Sequence, residues 1–463
     1  MTRFVLLSLL FTQVSQAITL DEYLALVRQK NRLYTSVDLS VEASNARREA
    51  GDLVLTPTLT ASYTLTNDKT LPNAVADERK TSEYNLGISK RFSTGTSITL
   101  SAKTDHYENK GILTGPSDSS TGGLGIAFSQ SLWKDFFGTA TRLRYQREEA
   151  VNTFETLSLD LKKRGVLIEA ESSFWDYVIA LDDMKLKQEN FDRAKKLDRW
   201  TSGRVNNGIS DRSDLMNVKA LMSLRELQLQ TTSDSLKTEE VRFRENLDLT
   251  PTDPTPTIQA NLEETRPAVT ELLAQKNMIL IDSYLAALEA KSRKFTSDEL
   301  RDSLRPDLAL IGGYNTSAYD PVGNNAVNDI SKTDRPRTYV GVSFTWLFDT
   351  KAKRAQIDAY SKDALASRYT ADKKLIEGRI AWTEHLRKYK AAQETVKTLE
   401  KIAGYQKERV KAEQDKFSKG RTITTNVVTA ETDSAEADVT YLRARSALRK
   451  LEASTFLFTT LQE

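Results

Sequence analysis

The spacing of apolar positions along this chain changes period, and it changes in the same order twice. From Thr19 to Leu53 the pattern is helical, with Asp21 and Glu22 in the first turn, where the helix dipole favours acids. Pro57 ends it, and the period drops to two. Leu59, Ala61, Tyr63 and Leu65 alternate with Thr58, Thr60, Ser62, Thr64 and Thr66, which predicts a strand with one apolar and one polar face. With this segment at 57–66, similar alternation predicts strands at 83–92 (Tyr84, Leu86, Ile88, Phe92), 96–106 (Ile98, Leu100, Ala102) and 122–132 (Leu124, Ile126, Phe128, Leu132). The connections 67–82 and 107–121 are long and polar, whereas Phe92–Gly95 is tight. Outer-membrane barrels pair short periplasmic turns with long external loops in this way.

Helical spacing then returns from Gly138 to about Arg204, a stretch of roughly 65 residues or ~100 Å. Phe154, Leu161, Ile168 and Trp175 recur by sevens, with Leu157 and Val178 between them, the seam of a coiled coil. Asn206-Asn207-Gly208 breaks the helix, a return helix runs from Asp211 to about Asn246, and prolines 251, 254 and 256 forbid its continuation. The second half repeats the plan with fewer strands. A helix spans Pro267 to Leu304, strands are expected at 306–317 and 336–348, and a second helix of roughly 65 residues runs from Ala352 to Phe417 with Val396, Ala403, Val410 and Phe417 spaced by sevens. Gly420 breaks it, and a last helix from Thr424 reaches the C-terminus.

Two short stretches carry the repeat. Leu55-Thr-Pro57-Thr-Leu59 recurs as Leu304-Arg-Pro306-Asp-Leu308, and Gly208 to Asp214 recurs as Gly420 to Asn426. The organisation expected is therefore a first repeat at 18–250, a Pro-rich linker at 251–265 and a second repeat at 266–463. The fold class is mixed but mainly α: an internally duplicated barrel of long coiled-coil helices with β hairpins at one end.

Composition narrows the function. The 66 basic and 64 acidic residues leave a net charge of +2, which calls for no nucleic acid. Without cysteine there is neither a disulfide nor thiol chemistry. The two histidines, His106 and His385, are far apart and are expected on polar surfaces, so neither a metal site nor any cofactor is expected. No Gly-rich phosphate loop or nucleophile–base system suggests an enzyme, and nearly all Asp and Glu are expected on solvated helix faces. Residues 1–17 look like an export signal: Arg3, an apolar core from Phe4 to Phe11, and Ser15-Gln16-Ala17 as a small-x-small site. No later apolar run reaches the ~20 residues of a membrane-spanning helix.

Strands that cross a bilayer cannot leave open edges in lipid, and four to six per chain fall short of the eight of the smallest barrels. Several chains must therefore close one barrel. The repeat, the Leu-x-Pro-x-Leu strand entrances, the run Val340-Gly-Val-Ser-Phe-Thr-Trp-Leu-Phe348 leading into a long helix and the two Gly-centred turns together resemble the TolC-like outer-membrane efflux protein family. The resemblance implies a homotrimer in the outer membrane of a Gram-negative bacterium, a lipid-embedded β-barrel continued by a periplasmic helical barrel. It also implies passive export, coupled through a periplasmic adaptor protein to a proton- or ATP-driven inner-membrane transporter. An exit channel for type I protein secretion is the alternative within that class, and an exported coiled-coil structural protein the alternative outside it. The helix turns are then the expected adaptor-docking tips, with Gly208, Ser210, Gly420, Thr422 and Asn426, and Asp211, Asp214 and Arg421 are candidate residues of a periplasmic gate. Two features depart from the family pattern. The first repeat carries four strand segments where two are usual, with six strands per chain favoured here. Asn426 and Thr429 are neutral where the family often has acids.

Overall fold

The computed structural model describes residues 17–69, 76–111, 115–260, 266–321, 326, 329–332 and 335–460. The expected signal segment lies outside the described residues apart from Ala17, as does part of the linker, 261–265. The chain forms two compact units: Met1–Val41, Leu157–Tyr284 and Lys374–Glu463 make one, Glu42–Thr156 and Leu285–Lys373 the other. Eight α-helices and nine strands are described, α1 (Leu20–Lys30), α2 (Arg32–Ala50), β1 (Thr58–Asp68), β2 (Glu78–Arg91), β3 (Thr96–Lys110), β4 (Asp118–Ser131), α3 (Thr139–Asn206), α4 (Arg212–Glu245), α5 (Pro267–Leu273), β5 (Met278–Leu280), α6 (Ile281–Ser303), β6 (Asp307–Asn315), β7 (Ala318–Asp320), β8 (Arg337–Thr345), α7 (Thr350–Ser418), α8 (Thr424–Ser454) and β9 (Phe458–Thr460).

In the second unit the main strands form one antiparallel sheet in the order β1-β2-β3-β4-β6-β8, with β7 beside β4. All four segments of the first repeat are thus in the ladder. The register aligns Leu59 with Ile88, Ile88 with Leu100, Leu100 with Ile126 and Ile126 with Tyr314. The next row is Thr60, Gly87, Ser101, Gly125 and Asn315, so one face is apolar and the other polar and small. The strands outrun the alternating segments: β2 begins at Glu78 and β3 ends at Lys110. Beyond the apolar rows, polar cross-strand pairs such as Arg79–Asn109 at 2.9 Å keep the ladder going. β8 by contrast stops at Thr345, short of the expected 348.

The first unit has an ordinary apolar core. Tyr23, Val27, Phe174 and Phe243 are essentially inaccessible; Tyr23 stacks on Phe243 with centroids 4.5 Å apart and donates its hydroxyl to the Phe243 carbonyl at 3.1 Å. The expected single helix from Thr19 to Leu53 is broken here. Asn31 adopts extended backbone, its amide donates to the Asn246 carbonyl at 3.0 Å, and its Oδ1 accepts from Tyr34 N–H at 2.9 Å. Hydrogen bonds to a distant segment replace those of a continuous helix, a contact no local pattern reveals. The expected helix Pro267–Leu304 is broken likewise, because Met278–Leu280 pairs with β9. For the same reason α8 ends at Ser454 and does not reach the C-terminus.

Two further expectations change. His385 is buried, not on a polar surface: its ring stacks on Trp382 at 5.7 Å, and Nε2 lies 2.9 Å from the Thr455 hydroxyl. Burial, and then the charge of Lys388, hold its pKa below the usual histidine value. Nor are the acids uniformly solvated. Glu171, Glu431, Asp438 and Glu452 are all buried, each against a basic partner. Of the heptad positions, Trp175, Val178, Ala403, Val410 and Phe417 are buried, while Phe154, Leu157, Leu161, Ile168 and Val396 are half-buried within the single chain. Among the described residues no helix is long and apolar enough to cross a membrane.

Candidate functional site

The turn between α3 and α4 and the turn between α7 and α8 are built alike, and both lie in the first unit. Gly208 has φ +66° and Gly420 φ +68°. At the first turn Gly208 N–H bonds the Val205 carbonyl at 3.0 Å and Ile209 N–H the Arg204 carbonyl at 2.8 Å. At the second, Gly420 and Arg421 repeat this on Phe417 and Lys416, at 3.1 and 2.8 Å. This paired closure satisfies the last helical carbonyls and requires left-handed backbone, which favours glycine. A Cβ on either glycine would meet nothing within 4 Å, so the requirement is conformational and the surface outside is open.

The polar residues beside the turns are held locally. Ser210 donates to Asp214 at 2.7 Å. Thr422 donates to Glu413 at 2.9 Å and accepts from Asn426 at 3.0 Å. Lys416, and then the Thr422 hydroxyl, hold the Glu413 carboxyl below its ordinary pKa range. Asp211 caps α4 through its backbone, with no side-chain bond to the helix, and Arg421 is exposed. Within the single chain Asp214 is thus tied to Ser210; no ion pair joins it to Arg421 among the described residues.

The ties between the two helix hairpins are residues other than the expected gate. Arg204 lies over the Phe417 ring, 4.9 Å from its centroid, and donates to the Phe417 carbonyl at 3.1 Å. Phe417 belongs to an apolar cluster with Ala194, Leu197, Val218, Leu221 and Val427. Deeper in the bundle Glu431 of α8 collects all three other helices: Arg193 of α3 at 2.9 Å, Gln414 of α7 at 2.5 Å, and Arg225 of α4, which reaches its carbonyl at 3.4 Å. Burial lowers the Arg225 pKa, against the pull of Glu431. Arg193 and Arg225 lie 238 and 206 positions from Glu431, and Gln414 lies 17 away across the α7–α8 turn; the one local hint is an acid at a helical spacing otherwise occupied by small residues (Val427, Ala430, Ser434, Ala435). No group of His, Asp and Glu that could hold a metal ion occurs among the described residues.

A sheet with one apolar face, interrupted in sequence by long helices closed by glycine turns, defines the class: this is the fold of the TolC-like outer-membrane channels. Solved structures bear out that resemblance at the level of fold. The outer-membrane channel OprN aligns with a TM-score of 0.66 at 16% identity, covering 95% of this chain and 89% of its own. The outer membrane protein VceC of Vibrio cholerae aligns at 0.67 and 11%, covering 94% and 95%. The Neisseria gonorrhoeae MtrE outer membrane channel, in its open state, aligns at 0.65 and 15%, covering 95% and 88%. No protein-family model and no curated protein matches the sequence.

Proposed function

We propose that the protein is the outer-membrane exit duct of a tripartite export system: a homotrimer in the outer membrane of a Gram-negative bacterium, with a large periplasmic portion, through which cargo passes passively. An inner-membrane transporter supplies the energy and a periplasmic adaptor protein couples the two at the glycine turns. The observation that carries this reading is the sheet. Its outward rows expose Leu59, Leu65, Val340, Val342 and Phe344 to between 57% and 79%, an arrangement costly in water and favourable in lipid. β1 and β8 are its edges, and only pairing with further copies satisfies their backbone groups inside a bilayer. A trimer of such sheets closes as an even-stranded barrel.

The turns suit adaptor contact because Gly208 and Gly420 face open space, with Ser210, Thr422 and Asn426 beside them. A duct of this kind must be shut at rest, and MtrE, of the same fold, is recorded in an open state. Asp211, Asp214 and Arg421 are proposed to bias closure by contacts between repeats or chains, each worth about 0–1 kcal/mol and multiplied by the threefold assembly. The test is the mass of the detergent-solubilised protein with its conductance in planar bilayers. A trimer whose conductance rises in Asp214→Ala and Arg421→Ala is expected. A conducting monomer sinks the trimer, and unchanged conductance in both variants removes these residues from the gate.

A further inference from the structure

On the polar face of the sheet β3 contributes Ser101, Lys103 and Asp105, β4 contributes Thr121, Gly123 and Gly125, and β6 contributes Asn315. Two glycines leave a gap in this face, and their neighbours lean into it. A Cβ on Gly125 would come within 2.3 Å of Asn315 Oδ1 and 2.7 Å of Ser101 Oγ, and one on Gly123 within 2.4 Å of the Thr316 carbonyl oxygen. The result is a hollow of about 300 Å³, bounded by these polar side chains and the glycine backbone. It lies wholly within the second unit.

Asp105 is 7% exposed, and its two oxygens differ. Oδ2 lies 3.1 Å from Lys103 Nζ and accepts from the Tyr107 hydroxyl at 3.3 Å and the Thr121 hydroxyl at 3.4 Å. Oδ1 has no partner among the described residues. A buried carboxylate oxygen without a donor is costly, and the three donors beside it all serve its twin. Charge decides what kind of donor can complete it. Lys103 repels a cation from Asp105, while Glu83, the register partner of Asp105 on β2, repels an anion from Lys103. A neutral hydroxyl escapes both. It can also accept, which suits the remaining protons of Lys103 and the side chains of Ser101 and Asn315. The glycine floor admits a flat ring. Tyr319, the register partner of Thr121 and 47% exposed, offers an aromatic surface on the same face. A pyranose combines these features, with hydroxyls at its rim and C–H groups on its faces.

We propose that the hollow is a saccharide subsite, in which Asp105 and Lys103 hold the hydroxyls of a neutral sugar ring seated over Gly123 and Gly125. On the outer-membrane reading above, on which this inference rests for its cargo, the polar face lines the duct and the cargo class is a neutral oligosaccharide. The test is calorimetric titration of the full chain in detergent with maltohexaose, mannohexaose and chitohexaose, and with choline and an oligogalacturonate as cationic and acidic counterparts. Saturable binding of at least one neutral saccharide is expected, with a dissociation constant on the order of millimolar or below, and none of the charged probes. Asp105→Ala should weaken it about tenfold or more, and Tyr319→Ala by a smaller factor. Should Asp105→Ala fail to fold, Lys103→Met, at a side chain 51% exposed, is read in its place by the same criterion. Binding of no neutral saccharide, tighter binding of choline or the galacturonate, or an affinity unchanged in the variant read overturns the subsite. Conductance in planar bilayers judges the duct separately. A protein that binds saccharide in detergent but does not conduct keeps the subsite and loses the duct; one that conducts but binds none keeps the duct and loses the subsite. In a conducting protein the saccharide that binds should interrupt the current, and an uninterrupted current overturns it as cargo.

Discussion

The two compact units treat their large apolar side chains in opposite ways. In the first, Tyr23, Phe174 and Phe243 are shut away from solvent. In the second, Leu59, Tyr63, Leu100, Ile126 and Val342 stand on the open face of the sheet. On the proposed outer-membrane placement, one chain is shaped against two solvents. Burial inside the helices and exposure on the sheet lower the free energy by the same hydrophobic term once the medium outside the sheet is lipid.

The comparison breaks most readily inside the helical unit. Phe243→Ala removes a ring that touches Tyr23, Phe174 and Tyr177. It is expected to cost about 3–5 kcal/mol, read as a lower denaturation midpoint in detergent. A loss below about 1 kcal/mol would show that the core is not where this unit's stability resides. On the sheet the corresponding probe is a charge on the apolar face. Ile126→Lys is expected to cost ~2–4 kcal/mol near the membrane midplane, whereas Ser101→Lys, on the opposite face, should insert normally. Equal insertion of the two variants would remove the distinction between the faces.

The turns respond less. Gly208→Ala and Gly420→Ala each place a side chain on left-handed backbone at about 1–2 kcal/mol. Since nothing crowds a Cβ there, folding survives. Export in cells separates the roles: bulky substitution of both glycines should abolish it while trimer and insertion persist, and continued export would make the turns mere connections. The smallest effect concerns pH. Burial lowers the His385 pKa from 6.5, so the unfolded chain takes up this proton more readily than the folded one. The stability His385 contributes is fully present above about pH 6.5 and is lost as the pH falls through that value towards the folded pKa. Thermal scans should show this acid-side loss, and His385→Phe should flatten it; an unchanged pH profile would remove His385 as its source.

Much of this architecture is written locally. Alternation along 58–66 specifies a strand and its two faces because side chains of adjacent residues point to opposite sides. Pro57 and Pro306 stop helices by their own geometry, and Gly208 and Gly420 mark turns because left-handed backbone favours glycine. Long helices are legible since each hydrogen bond reaches only four residues along the chain. What sequence spacing leaves open is which of these elements meet. The break at Asn31 depends on Asn246, the break before α6 on β9, and the burial of His385 on Phe458 and Thr455. The same holds for the site. The glycine turns could be named from their own residues, whereas the convergence of Arg193, Gln414 and Arg225 on Glu431 could not. Local chemistry determined the kinds of element, their faces and their ends. Only the tertiary structure decided which buried charges face one another and which helices give way, because a buried polar group is satisfied by whatever the fold brings to it, at any distance in sequence.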